Sequence, residues 1–246
     1  MIKLSVNLNK IATVRNSRGG SIPSVLDAVR ACVAAGAPGI TVHPRADARH
    51  ITATDVREVS TLLRDLGAGT EFNIEGDPRP DFVALVHEVR PTQCTLVPVQ
   101  PGEITSQAGW PADTPGDVVG DVVRNLRRAG IRVSLFVEAD ATPIRWALDA
   151  GADRVELYTE PFARAYERGA AAAAESFGLY AAAAECAHGL GLGINAGHDL
   201  DLKNLVLFRT LPHLEEVSIG HALISHALFV GLDRSVREYL SLLRVS

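Results

Sequence analysis

The chain alternates two kinds of segment along its whole length: a short apolar run, then a stretch patterned as a helix. The apolar runs end on polar residues. IKLSV runs into Asn7, GITV into His43 and TEFNI into Glu75; DRV precedes Glu156, GINAG ends on His198, and EVSIG ends on Gly220-His221. Eight candidate strands follow, at residues 2–8, 39–43, 70–75, 93–98, 131–137, 153–158, 192–196 and 215–219. Most are nearly continuously apolar, the pattern of strands buried on both faces, which favours a parallel sheet. Eight strands with eight helical returns predict a TIM (β/α)8 barrel, one domain over residues 1–246, with extra helices in the βα loops. An open doubly wound sheet is the structural alternative.

The intervening segments fit that reading. Val56, Val59, Leu62, Leu63 and Leu66 recur at helical spacing, with Thr54-Asp55 as the expected start and Gly67 as the stop. The stretch 221–243 sets Leu223, Ile224, Leu228, Leu232, Val236, Leu240 and Leu243 against Arg234, Arg237 and Glu238. AAGAPGITVH, RAGIRVSLFV and DAGADRVELY form a weak internal repeat, each closing a helix on Ala-Gly and stepping into a strand. Two segments exceed the repeat. Residues 98–115, rich in Pro and Gly, predict a long βα loop on the C-terminal face, where barrel enzymes build their sites. The alanine-rich 160–190 predicts an extra turn or helix before the sixth outer helix.

A chain of 246 residues carrying a net charge of −5 offers no bulk electrostatic attraction for nucleic acid. A local cluster of Arg and His still suits a small anionic substrate. Cys32, Cys94 and Cys186 are far apart and odd in number, which reads as free thiols in a reducing compartment. No uncharged apolar stretch approaches the ~20 residues of a membrane helix. The N-terminus reads as a strand, and a cytoplasmic location is expected.

Several strand-end residues suit proton transfer. His43, Arg45 and His50 lie in HPRADARH. They read as an acid or base beside cationic anion-holders, or else as a solvated loop balanced by Asp47. Glu75 ends an apolar strand, where a carboxylate drawn from water becomes a base near neutrality; the bland reading pairs it with Arg79. Strand alternation points Glu156 opposite to Val155 and Leu157, into the barrel, where a carboxylate needs a partner or a job. His198 and His221 each follow small residues that let a ligand approach, and Gly220 opens the last helical stretch, a natural phosphate site. GLGINA matches a dinucleotide-binding pattern, but its glycines precede a strand instead of following one. His43, Glu75, Glu156 and His198 lack the tight spacing of a metal site. Two readings stay open beside any family likeness: a metal-dependent sugar-phosphate isomerase or epimerase, and a barrel that binds a phosphorylated metabolite without turnover.

NLNKIATVRNSRGG, GITVHPRADARHIT, EFNIE, TLVP, VSLFV, RVELYT, INAGHDL and EVSIGHALI, in this order from Ser5 to the final helix, resemble the pyridoxine 5'-phosphate synthase family of vitamin B6 biosynthesis. The resemblance implies a TIM barrel that condenses 3-amino-2-oxopropyl phosphate with 1-deoxy-D-xylulose 5-phosphate, releasing phosphate and water. It implies no metal or redox cofactor, and a homo-octamer. By the same resemblance His43 and Glu75 accept protons, His198 donates one, and Glu156 stabilises the transition state. Arg45, His50 and Thr105 would hold the deoxyxylulose phosphate. Asn7, Arg18, Gly220 and His221 would hold the amino-ketone phosphate, with the backbone near Asp199. The chain departs from the common pattern at Asn9-Lys10, where many members carry Asp-His, and at Asp199, where many carry Gly. Lys10 still offers positive charge to a phosphate.

Overall fold

The computed structural model describes residues 1–99 and 107–244. Eight parallel strands close into a barrel in chain order: β1 (Lys3–Asn7), β2 (Gly39–Val42), β3 (Glu71–Gly76), β4 (Gln93–Leu96), β5 (Arg132–Val137), β6 (Arg154–Tyr158), β7 (Gly193–Gly197) and β8 (Leu214–Ile219). The eighth strand returns to the first, with Leu4 opposite Val217 and Ser5 opposite Ser218. The TIM (β/α)8 expectation holds, and each expected strand falls within two residues of an observed one.

The helices are α1 (Asn9–Asn16), α2 (Val25–Ala34), α3 (Ala53–Leu66), α4 (Pro80–Val89), α5 (Gly116–Arg128), α6 (Ala141–Asp149), α7 (Glu160–Glu167), α8 (Ala170–Gly189), α9 (Leu205–Phe208), α10 (His221–Val230) and α11 (Leu232–Leu243). Most return the chain outside the barrel. Three are additions in βα loops: α1 after β1, α7 after β6 and α10 after β8. Among the described residues, no helix is long and apolar enough to cross a membrane.

Both faces of the strands are buried, but they differ in chemistry. Leu4, Val6, Ile40, Ile74, Leu135, Val155 and Val217 face the helices and are fully covered. The barrel interior instead holds Ser5, Thr41, Asn73, Thr95, Gln93, Asn195 and Glu216. The nearly continuous apolar strands expected from sequence therefore need correction: an inner polar row alternates with the outer apolar one. Burial of these groups is offset by mutual hydrogen bonds. Ser5 and Thr41 hydroxyls lie 2.6 Å apart, Asn73 donates to Thr41, and Thr95 donates to Asn73 at 3.1 Å. Lower in the barrel, Asn195 donates to Gln93 and Glu216, and Arg132 donates to Gln93 at 2.8 Å.

Two helix boundaries differ from expectation. The third helix starts earlier than Thr54-Asp55, because Thr52 is its cap. The Asp55 amide donates to Thr52 Oγ1 at 3.2 Å, and the Asp55 carboxylate accepts from the Thr52 amide at 2.8 Å. This reciprocal capping satisfies donors that the first turn leaves unpaired. The stretch 221–243 is two helices: Gly231, at φ 89°, lies between α10 and α11, a conformation that favours glycine. The alanine-rich region divides into α7 and α8, as the expected extra helix requires. Of the long loop at 98–115, residues 100–106 lie outside the described residues. Its remainder is fastened to the C-terminal face, where Trp110 donates its indole N–H to the Leu96 carbonyl and its backbone N–H to that of Phe136.

Candidate active site

The C-terminal strand ends open onto a cavity of ≈ 450 Å³. Its wall includes the four proposed acid/base residues: Glu75 on β3, Glu156 on β6, and His43 and His198 immediately after β2 and β7. Asn7, Asn9, Lys10, Arg45, His50, Asp199, Gly220 and His221 also line it. Arg18 does not: it is exposed in the turn after α1. Thr105 lies outside the described residues. Thr13, Arg49, Val97, Phe136, Leu200 and Ser218 line the cavity without having been singled out from sequence.

Glu75 is buried at the end of β3. Asn7 donates to its Oε2 at 3.3 Å, and Ser218 to its Oε1 at 3.4 Å. Burial pushes its pKa up to about 7, with the Glu216 carboxylate adding and the two hydrogen bonds opposing. The Arg79 partnership is not formed, because that guanidinium pairs with Asp77 and Asp81 and donates to the Pro44 carbonyl. Glu156 lies deeper. Thr95 donates to its Oε2 at 3.4 Å, and burial raises its pKa well above the ordinary value, reinforced by Glu75 and Glu216. Burial thus favours its protonated form, which can donate a hydrogen bond. Gly197 makes room for it, since a methyl group there would collide with Glu156 Oε1.

His43 is buried beside Glu75, its Nδ1 3.9 Å from Glu75 Oε2. Burial drives its pKa down to about 3, and His50, Arg45 and Arg79 add to the effect. The ring is therefore neutral and free to accept a proton, so this close approach is no ion pair. His50 is also held neutral: burial lowers it to about 4, with Arg45 and Lys10 contributing. Its Nδ1 accepts the Ile51 amide at 2.9 Å, so its Nε2 carries the hydrogen and is a donor.

The loop bearing these groups is pinned by the first helix. Arg15 forms a bidentate pair with Asp55, at 2.5 and 3.0 Å, and donates to the His50 carbonyl; Asn16 donates to that carbonyl at 2.8 Å. Asn9 acts through its side-chain oxygen, which accepts the His43 amide at 2.9 Å. Gly220 and His221, also in the cavity wall, begin α10, and a helix start presents backbone N–H groups of the kind that bind anions. A side chain at Gly220 would crowd Asn7. The result is a pocket that brings His43, Glu75, Glu156 and His198 together with Lys10, Arg45, Arg49 and the start of α10, Asp47 pairing with both arginines.

His198 leaves β7 at φ 93° and Asp199 follows at φ 58°, two consecutive left-handed residues. Thr159 donates its hydroxyl to the carbonyls of Gly197 and His198. The imidazole lies edge-on to Tyr158, with ring centroids 5.2 Å apart, and 6.4 Å from Phe136.

Residues 4–245 match the family described as pyridoxal phosphate biosynthesis protein PdxJ. A pyridoxine 5'-phosphate synthase of Bacteroides fragilis is 53% identical over 245 residues, covering 99% of this chain and 100% of the relative. One from Leptospira biflexa is 50% identical over 253 residues, covering 99% and 97%. Among solved structures, 3-hexulose-6-phosphate synthase from Salmonella typhimurium aligns over 98% of each chain with a TM-score of 0.64 at 13% identity, a likeness of fold alone.

Proposed function

The chain belongs to the PdxJ family of pyridoxal phosphate biosynthesis enzymes, and on that premise we propose that it builds the pyridine ring of pyridoxine 5'-phosphate. The two substrates in this reading are 3-amino-2-oxopropyl phosphate and 1-deoxy-D-xylulose 5-phosphate. Phosphate and water are released, and the enzyme acts as a transferase in the cytoplasm. Joining an amine to a ketone, losing water, eliminating phosphate and closing the ring by carbonyl attack all move protons. A single group cannot serve every step, because each needs a donor or an acceptor at a different atom.

One observation carries the reading: a single cavity gathers two buried carboxyl groups, Glu75 and Glu156, and a buried imidazole, His43, with burial raising both acids and lowering the base. Glu75 and His43 accept protons, His198 donates, and Glu156 stabilises negative charge that develops on a substrate oxygen. Arg45 and His50 hold the deoxyxylulose phosphate, with Lys10 and Arg49 adding charge. Asn7 and the N–H groups from Gly220 and His221 hold the amino-ketone phosphate.

The same reading takes the protein to be a homo-octamer. Leu228 and Phe229, adjacent on α10 and 73% and 89% exposed, support a contact between subunits. The test of function is substrate dependence. Wild-type enzyme given both phosphates should release one inorganic phosphate per pyridine formed, and none with either substrate alone. Phosphate release from one substrate, or activity abolished by a chelator, contradicts the reading and points to a metal-dependent sugar-phosphate enzyme.

A further inference from the structure

The turn carrying His198 and Asp199 is conformationally costly. Left-handed backbone is strained in a residue other than glycine, and here it occurs twice in succession. The surroundings hold it in place. Thr159 Oγ1 donates to the Gly197 carbonyl at 2.8 Å, and Asn204 Nδ2 donates to the Asp199 carbonyl at 3.0 Å. Asn204 is itself fixed, its Oδ1 accepting the Asp201 amide at 2.9 Å. The turn places His198 Nδ1 3.3 Å from Asp199 Oδ2. Tyr158 and Phe136 pack around the same imidazole.

A purely conformational role does not account for an aspartate here. Glycine or asparagine accepts φ near 58° as readily, and neither brings a negative charge into a pocket that receives phosphates. We propose that Asp199 is a positioning residue for His198: its carboxylate accepts the Nδ1–H, turns Nε2 toward the substrate and stabilises the imidazolium that donates the proton. In the donating step the Nε2–H bond breaks and the proton passes to the substrate oxygen that leaves as water. The imidazole remains neutral, with its Nδ1–H still on Asp199. The hydrogen bond from His198 holds the Asp199 carboxyl below its ordinary value against the effect of burial, and His221 and Arg164 add to it. Among the described residues, further charged or titratable groups near the pair include Tyr158 on β6, packed against the imidazole, with Glu138 after β5 and Glu160, which pairs with Arg164 on α7, both acting on Tyr158.

The inference rests on the ring-forming reading for its catalytic meaning, but it can be tested without turnover. Asp199→Asn and Asp199→Gly both tolerate the turn, so both variants should fold. Nitrogen-15 NMR of histidine-labelled enzyme reads the tautomer of His198, whose signal is assigned by its loss in His198→Asn. Wild type should hold neutral His198 as the Nδ1–H tautomer, and both variants should shift it toward Nε2–H. In both, kcat should fall several-fold while KM does not rise. The same His198 tautomer in wild type and in either variant overturns the proposal. Wild-type enzyme that forms no pyridine removes the ring-forming reading instead, and the tautomer then decides the pairing alone.

Discussion

At the scale of single residues, Glu75 links reactivity to stability. An acid whose pKa rises from 4.5 to about 7 on folding binds more protons in the native state than in the unfolded state over that window. Its contribution is therefore fully present below pH 4.5 and is lost as pH rises through about 7. The loss has an upper bound of about 3.5 kcal/mol, at about 1.4 kcal/mol per pH unit over the 2.5 units between 4.5 and about 7. Glu75→Gln keeps the hydrogen-bonding shape without the charge. It should raise the thermal midpoint at pH 8 by several degrees, leave it nearly unchanged at pH 4, and remove activity. Thermal melts at the two pH values check this; equal shifts at both would show that Glu75 is not a buried acid. Wild-type activity should rise as pH increases through about 7, since a proton acceptor works only when deprotonated.

At the scale of elements, the site depends on contacts outside the cavity. The Arg15–Asp55 pair ties α1 to the start of α3, and the residues joined to it fix the carbonyl of His50. Both partners are largely buried, so removing one leaves an uncompensated charge. Asp55→Ala also removes the reciprocal cap with Thr52. The expected loss is about 3 kcal/mol or more in denaturant unfolding, with KM for the deoxyxylulose phosphate raised more than kcat is lowered. A loss below ~1 kcal/mol would refute this account of the loop. Gly197→Ala tests the opposite relation, an element held open for a side chain. The added methyl should displace Glu156 and reduce kcat by ~100-fold or more while circular dichroism stays native. Normal turnover would mean that Glu156 has another place to go.

At the scale of the whole molecule, the barrel was legible because its outer face demands branched apolar side chains. Runs such as GITV and EVSIG stand out against the helices for that reason. The polar inner row was harder to see. Ser5, Thr41, Asn73 and Thr95 each sit inside an otherwise apolar run, and their importance comes from neighbours on other strands. Glu75 and His43 were legible as the polar ends of runs, while Ser218, which contacts Glu75, looked like an ordinary strand residue. Arg49 was one charge among several in HPRADARH. Nothing local distinguishes Arg18 as lying away from the cavity. The pairing of His198 with Asp199 depends on two positive φ angles that residue type does not announce. Assembly lies at this scale too: light scattering should give a mass near eight times 26.2 kDa, and Leu228→Ser with Phe229→Ser should lower it. A wild-type monomer would contradict the octamer.

The central claim is that one cavity's acid/base residues close a pyridine ring. Wild type, Glu75→Gln and His198→Asn, each incubated with both phosphorylated substrates, should differ sharply in pyridine absorbance. Wild type should accumulate pyridoxine 5'-phosphate, and both folded variants should form it at least ~100-fold more slowly. No pyridine from wild type, or near-normal rates from either variant, would contradict the claim.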